Sequence, residues 1–207
     1  MKNVRVYLVR HGETCHNRKK LFQADNEPLS DLGKEQASNI AEELSKHDIQ
    51  FVITSSFLRA KQTGKIIADR LVVQTDSKDF LNEIKWSKDL VDKWRFSPHS
   101  LFVVALIFLN TYVSRWHHKD GENLCELSER AKEAVSYMES KNTDTKSSFV
   151  VVTHRGMYAM LLEHMRNNGT RPNLYKVAFN SVFNGAKNTE IEVCDYDGDK
   201  WSIAAFD

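Results

Sequence analysis

The chain alternates between short runs of β-branched apolar residues and stretches whose apolar positions recur at helical spacing. Val4-Arg5-Val6-Tyr7-Leu8-Val9, Phe51-Val52-Ile53-Thr54 and Phe149-Val150-Val151-Val152-Thr153 read as buried strands, because each is short, rich in Val and Ile, and closed by polar or glycine-containing sequence. Ala37, Ile40, Ala41 and Leu44 mark one helix behind Ser30 as N-cap, and a second is predicted from Phe57 to about Leu71 with Ser55 and Ser56 as caps. A third helix, Asn123 to about Ser140, lines up Leu124, Leu127, Ala131, Ala134, Val135 and Met138, and Met157 to Met165 reads as a fourth. Strand followed by helix, repeated, predicts an α/β fold: a three-layer α/β/α sandwich on a mainly parallel central sheet. The tail alternates Ile191, Val193, then Trp201, Ile203 about Asp197-Gly198, which predicts an antiparallel hairpin.

Two stretches break the pattern. Asn17 to Glu27 reads as a polar loop, and Val72-Val73-Gln74 as a weak strand. From Ile84 to Asp120 the alternation stops, and Trp86, Trp94, Trp116 and the all-apolar Leu101 to Leu109 take its place. Residues 84–120 are therefore read as a helical, cap-like insert in one domain spanning 1–207. A helix with no polar face must be buried by the domain, by a second copy, or by both, so Leu101 to Leu109 is expected to be buried and a homodimer is the expected partner arrangement.

Charge changes the picture of partners. Lys and Arg number 29 against 28 Asp and Glu, a formal charge of +1, so no global field gathers nucleic acid or anionic lipid, and an anion site must be built locally. The run Arg18-Lys19-Lys20 is too short for a nucleic-acid track and reads as a solvated loop. Leu101 to Leu109 spans about half the roughly 20 residues a bilayer requires. Cys15, Cys125 and Cys194 are odd in number and form no CxxC pair, which fits a reducing cytoplasm, and Met1 to Val4 leads into a strand pattern rather than a secretory signal.

The candidate chemistry sits at strand ends. Arg10-His11-Gly12 follows the first strand, Thr153-His154-Arg155-Gly156 follows the third, and Arg59 lies in the first turn of the helix after the second. Carboxyl ends of neighbouring parallel strands line one crevice. A single Arg or His after a strand is most often a surface group, but packing alone gives no reason to bring like charge from three strand ends to one rim. Guanidinium forks suit phosphate oxygens, and an oriented imidazole is a nucleophile at neutral pH. Other phosphate chemistries fail on spacing: Gly64-Lys65 is followed by Ile66, so no P-loop forms, and the residues six after the cysteines are Leu21, Ala131 and Lys200, so no Cys-x5-Arg motif exists. His117-His118 with Asp120 and Glu122 lacks ligand spacing and reads as a solvated loop, so no metal or cofactor is expected. His16, His47, His99 and His164 are read as surface or core imidazoles.

Leu8-Val9-Arg10-His11-Gly12-Glu13-Thr14 with Asn17, Pro28-Leu29-Ser30 with Gly33 and Gln36-Ala37, Thr54-Ser55-Ser56-Phe57-Leu58-Arg59-Ala60 with Gln62-Thr63, Leu81-Asn82-Glu83, Gly121-Glu122-Asn123 and Val151-Val152-Thr153-His154 resemble, in order, the histidine phosphatase superfamily, also called phosphoglycerate mutase-like. The resemblance covers nearly the whole chain apart from 84–120. It implies that His11 is the nucleophile, that Arg10, Asn17, Arg59 and His154 hold the phosphoryl oxygens, that Glu83 protonates the leaving alcohol, and that Glu122 braces the pocket. Arg155 stands where the family usually has glycine, either adding a guanidinium to the pocket or turning away. Gln23-Ala24 replaces a familiar Gln-Gly, and Glu83-Ile84-Lys85-Trp86 departs from the usual continuation. The expectation is a metal-independent, cytoplasmic phosphomonoester hydrolase acting through phosphohistidine on a small phosphorylated metabolite. The alternatives are a phosphoglycerate-type mutase and a weakly catalytic domain that binds phosphorylated ligands.

Overall fold

The computed structural model describes residues 4–141, 147–168, 170–182 and 185–206; Met1 to Asn3, read above as leading into a strand, lie outside them. Six strands form one sheet in the order β3-β2-β4-β1-β5-β6. They are β1 (Val4–Arg10), β2 (Phe51–Thr54), β3 (Gln74–Ser77), β4 (Ser147–Thr153), β5 (Ile191–Tyr196) and β6 (Trp201–Ala205). The first four run parallel, while β5 pairs antiparallel to β1 and β6 antiparallel to β5. Seven described helices accompany them: α1 (Cys15–Lys19), α2 (Asp31–Leu44), α3 (Leu58–Leu71), α4 (Pro98–Leu109), α5 (Leu124–Glu139), α6 (Arg155–Arg166) and α7 (Leu174–Val182).

The two-residue period of a strand explains why the central strands are apolar throughout. Val4, Val6 and Leu8 of β1 with Phe149 and Val151 of β4 join the core under α5, α6 and α7. Tyr7, Val9, Val150 and Val152 point the other way, into the core shared with residues of α2 and α3. Both faces are covered, which is the three-layer α/β arrangement. Phe51 and Phe149 stack across neighbouring strands with ring centroids 4.7 Å apart.

Local sequence sets the helix ends. Ser30 accepts from the Gly33 amide at 3.0 Å, Ser97 precedes Pro98 in the first turn of α4, and Asn123 and Glu126 form a reciprocal capping box on α5. Ser55 and Ser56 do not cap α3: Phe57 is its N-cap, without a side-chain bond, and both hydroxyls go instead to Asn82 Oδ1, at 2.7 and 2.9 Å. Hydrogen bonding to a distant loop outcompetes the local cap. The weak strand at Val72 is displaced to Gln74–Ser77, because Val72 itself turns left-handed to end α3. The polar loop after Asn17 begins inside the short helix α1, and α7 carries too brief a periodic stretch to stand out in the sequence.

The insert departs most from expectation. Among the described residues α4 is its one α-helix, the remainder being turns and isolated bridges. Of the apolar run, Val103 and Val104 are buried against Phe22 and Leu90, whereas Leu101, Phe102 and Leu109 are exposed. Within one chain the helix is thus covered on one face, with Ser100 also buried and Ile107 and Phe108 partly so. No described helix is long and apolar enough to cross a membrane.

Val72 has φ 58° and is 90% exposed, so a β-branched side chain occupies the left-handed region with little packing in return. Relief of that strain outweighs the added chain entropy of glycine, and Val72→Gly is expected to raise stability by about 0.5–1 kcal/mol. A urea midpoint at or below that of the wild type would contradict this account.

Candidate active site

The register of β1 against β4 places Arg10 opposite Thr153, so the residues that follow, His11 and His154, emerge side by side. Their ring centroids lie 5.1 Å apart, and the His11 amide donates to the Thr153 carbonyl at 3.0 Å. Both histidines are buried, as are Arg10 and Arg59. Arg59 comes from the first turn of α3, which follows β2, the neighbour of β4 on its other side. Three strand ends therefore deliver the cluster to one crevice.

Each imidazole is oriented by its neighbours. His11 Nδ1 lies 2.7 Å from the Gly12 carbonyl, an acceptor, which assigns the proton to Nδ1 and leaves the Nε2 lone pair with no protein partner among the described residues. His154 Nε2 lies 2.7 Å from Ser55 Oγ, whose own proton goes to Asn82 Oδ1, so Nε2 is the donor. His154 Nδ1 is buried without a partner.

The arginines share one trait. Arg10 Nη1 donates to the Ala186 carbonyl at 2.6 Å, Arg59 Nη1 to the Ala24 carbonyl at 2.8 Å, and Arg155 Nη2 to the Gly185 carbonyl at 3.1 Å. Among the described residues none of the three makes an ion pair, and the Nε of each is buried and unsatisfied. Burial, reinforced by Arg155 and Arg95, pushes Arg10 down to about 9, and burial lowers Arg59 and Arg155 as well. Arg155 thus turns toward the 185–186 segment while its charge is still felt by Arg10.

Glu83 follows a 3-10 turn at Asp79–Leu81 and meets the N-terminus of α6. Its Oε1 accepts from the amides of Gly156 at 2.9 Å, Met157 at 3.2 Å and Ile84 at 3.1 Å, leaving Oε2 with only a shared contact to Gly156 at 3.2 Å. A Cβ on residue 156 would fall 2.5 Å from Oε1, so glycine is required for this approach. Asn17 is oriented by two bonds that leave one Nδ2 hydrogen over: its Nδ2 donates to Gln23 and its Oδ1 accepts from Asn188, at 3.1 Å each.

Three contributors were not singled out in the sequence. Arg130 on α5 pairs with Glu122 through two 2.7 Å bonds and donates to the carbonyls of Phe80, Asn82 and Glu83, tying down the turn that presents Glu83. Asn188 Nδ2 donates to the His11 carbonyl at 3.0 Å. Arg95, from the insert, lines a cavity of about 190 Å³ together with Arg59, Glu83, Gln23 and Trp86. None of the three sits in a recognisable local motif, and only the tertiary fold brings them to the site.

Among the described residues one group could hold a metal: Asp89, His99 and His118, whose ligand atoms lie within 4.8 Å of one another. It differs from the His117, His118, Asp120 and Glu122 grouping considered on sequence, since His117 pairs with Glu126 at 3.0 Å. Lys119 Nζ already sits 2.6 Å from Asp89 Oδ2. The arginines of the crevice themselves supply the positive charge there.

Burial first, then the charges of Arg59 and Arg10, pushes His11 well below the ordinary histidine range, and burial, Arg59 and His11 do the same to His154. The unfolded chain takes up protons at these histidines near pH 6.5, and the folded chain does not. Below that pH the unfolded state binds more protons, so this part of the stability is present above about pH 6.5 and lost as pH falls. In phosphate-free buffer the urea midpoint is expected to be lower at about pH 5.5 than at about pH 7.5, with a shallower dependence in His154→Gln. An unchanged slope in that variant would contradict a neutral, buried His154.

A family model for the histidine phosphatase superfamily (branch 1) matches residues 6–207. The chain is 30% identical over 206 residues to phosphoglycerate mutase-like protein 4 of Arabidopsis thaliana, a match covering 96% of this chain and 82% of that protein. Its fold is similar to a mycobacterial glucosyl-3-phosphoglycerate phosphatase (TM-score 0.75, 21% identity, 98% of each chain covered). It is equally similar to a phosphoglycerate mutase from Bacillus anthracis (TM-score 0.76, 19% identity, 99% of this chain and 93% of that one covered). At such identities the superpositions speak to the fold alone. With the family match running from β1 through the C-terminal hairpin, the chain belongs to the histidine phosphatase superfamily.

Proposed function

We propose that this protein hydrolyses small phosphomonoesters through a phosphohistidine at His11, without a metal ion. The observation that carries this reading is the pairing of a fixed His11 tautomer with a pocket of buried, unpartnered nitrogens, two of them guanidinium donors and one an imidazole nitrogen that becomes a donor on protonation. Nδ1 is committed to Gly12 O at 2.7 Å, and Arg10 Nε, Arg59 Nε and His154 Nδ1 are buried without partners. Phosphoryl transfer asks a protein mainly to position the group and neutralise charge on its equatorial oxygens, which these donors are placed to do.

In the first step the Nε2 lone pair attacks phosphorus, the bond from phosphorus to the alcohol oxygen breaks, and that oxygen takes a proton from Glu83. In the second, water attacks the phosphohistidine, gives its proton back to the Glu83 carboxylate, and the N–P bond breaks to release phosphate. Glu83 suits both steps because Oε1 is held by three amides while Oε2 is left comparatively free to carry the proton. His154, neutral in the free protein, gains a reason to protonate once a phosphoryl dianion lies beside it, turning Nδ1 into a further donor. Arg10, Arg59 and His154 stand where a metal-dependent enzyme would place its cation.

A mutase reading shares the first step and differs in the acceptor: a second hydroxyl in place of water. It draws support from the name of the Arabidopsis relative. Product analysis separates the two, since hydrolysis accumulates inorganic phosphate whereas transfer in the presence of a bisphosphate primer accumulates an isomeric ester.

Hydrolysis of para-nitrophenyl phosphate in EDTA is the expected outcome. His11→Ala should lose at least about a thousandfold and Glu83→Gln roughly 10²–10⁴-fold in kcat. Activity abolished by EDTA, or retained in His11→Ala, would overturn the proposed route.

A further inference from the structure

Asp89, His99 and His118 meet in the insert, and none of them lines the cavity beside Arg59 and Glu83. His99 stands in the first turn of α4, while Asp89 and His118 come from the two ends of the insert. Asp89 Oδ2 lies 2.9 Å from His99 Nε2 and 3.3 Å from His118 Nε2. Local backbone bonds fix each contributor. The Leu90 amide donates to the Ser87 carbonyl at 2.9 Å, the Ser100 amide to Ser97 Oγ at 3.2 Å, and the Gly121 amide to the His118 carbonyl at 3.0 Å. The Glu122 amide also donates to the Lys85 carbonyl at 2.8 Å, which lays the end of the insert along its beginning. Three segments separated in sequence are thereby brought to one carboxylate oxygen.

Hydrogen bonding alone accounts poorly for that oxygen. Oδ2 faces both imidazoles and also Lys119 Nζ at 2.6 Å, while Oδ1 accepts from the Ser87 hydroxyl at 2.6 Å. A carboxylate oxygen offers about two lone pairs, so three donors oversubscribe it. With the ring protons on Nδ1 instead, two nitrogen lone pairs would face an anion, an arrangement that is repulsive unless a cation lies between them. A divalent ion resolves both cases by accepting all three lone pairs at once. Zinc held tetrahedrally by imidazole and carboxylate at about 2.0–2.1 Å spaces its ligand atoms by about 3.3 Å, and the edges of 2.9 and 3.3 Å are close to this. Two imidazoles select against magnesium and calcium, which take oxygen ligands, and three protein ligands leave a fourth position for water. Lys119 is the competitor. Its side chain is exposed and its ion pair contributes little, so the ammonium can swing into solvent.

We propose that Asp89, His99 and His118 bind zinc, or a divalent transition-metal ion of the same class, and that this ion pins the insert together. The insert needs such a tie, because its buried apolar cluster is only Phe22, Leu90, Val103 and Val104, and among the described residues it has one α-helix and no strand. A core of that size orders a segment weakly, and coordination adds its binding free energy to folding. Lys88 and Val91, on either side of Asp89, line the cavity, so order imposed at Asp89 reaches the crevice wall. No step at His11 passes through the ion. The inference therefore stands apart from the hydrolase reading and is measured without turnover.

Titration of the full-length, chelator-treated protein with cobalt(II) and then zinc tests this. The wild type is expected to bind about one cobalt per chain with the intense visible bands of a four-coordinate site, which zinc abolishes and magnesium does not. His99→Gln and His118→Gln should each weaken zinc binding at least about tenfold, and Lys119→Met should strengthen it by removing the competing cation. Zinc should also slow amide hydrogen exchange within residues 84–120 of the wild type more than elsewhere. The wild-type spectra and exchange need no variant to fold, and Lys119→Met alters only an exposed side chain. Absence of the cobalt bands, zinc affinity unchanged in both histidine variants, or exchange in 84–120 indifferent to zinc would overturn the inference. Failure to hydrolyse para-nitrophenyl phosphate would overturn the hydrolase reading alone.

Discussion

The site depends on arginines that are oriented without being neutralised. Arg10, Arg59, Arg95 and Arg155 each donate to a backbone carbonyl, of Ala186, Ala24, Leu21 and Gly185 respectively, and none has a carboxylate within ion-pair distance among the described residues. A carbonyl dipole fixes a guanidinium in direction but leaves its charge available. A carboxylate would fix it more cheaply and also occupy it. The arrangement therefore concentrates repulsion in a buried crevice and requires a rigid frame to hold it. The parallel pairing of β1 with β4, apolar on both faces, supplies that frame. This is where stability is exchanged for a preorganised anion site.

The frame explains how much could be read from sequence. β1, β2 and β4 are buried on both faces, so their apolar runs are unmistakable, and residues directly after them are carried to one rim by parallel topology alone. Arg10, His11, Arg59 and His154 were legible for that reason. Arg95, Arg130 and Asn188 were not, because each reaches the site across a large sequence separation from an element whose local pattern says nothing about direction. The same physics misled the reading of Ser55 and Ser56. Their hydroxyls look like caps locally, yet Asn82, which the fold brings beside them, takes both, and Ser55 becomes the acceptor that orients His154.

The insert's apolar helix is covered by the domain on one face only. Leu101 to Leu109 has no polar face, which argued for burial by the domain, by a second copy or by both, and within one chain its stripe against Phe22 and Leu90 is Val103 and Val104 with Ile107 and Phe108 partly buried beside them. Phe22 and Trp86, whose rings lie 4.6 Å apart, join this small cluster to the cavity wall. The helix does not itself line the cavity. Its buried stripe supports the 86–95 segment that does, so packing on α4 reaches the site by way of Arg95.

One short segment serves two chemical roles at once. Thr153 ends β4, His154 turns its imidazole beside His11, and the amides of Gly156 and Met157, two and three residues on, hold Glu83. Nucleophile environment and general acid are thereby registered to each other through about one turn of backbone rather than through flexible side chains. This also accounts for the unusual Arg155. At the first position of α6 its side chain is free to leave the crevice, and it does so toward Gly185, while at Gly156 a Cβ would push the Glu83 carboxylate out of its present place. The residue that departs from the family pattern therefore occupies a place in this turn where a side chain can turn out of the crevice. There it adds charge to the rim without disturbing the carboxylate.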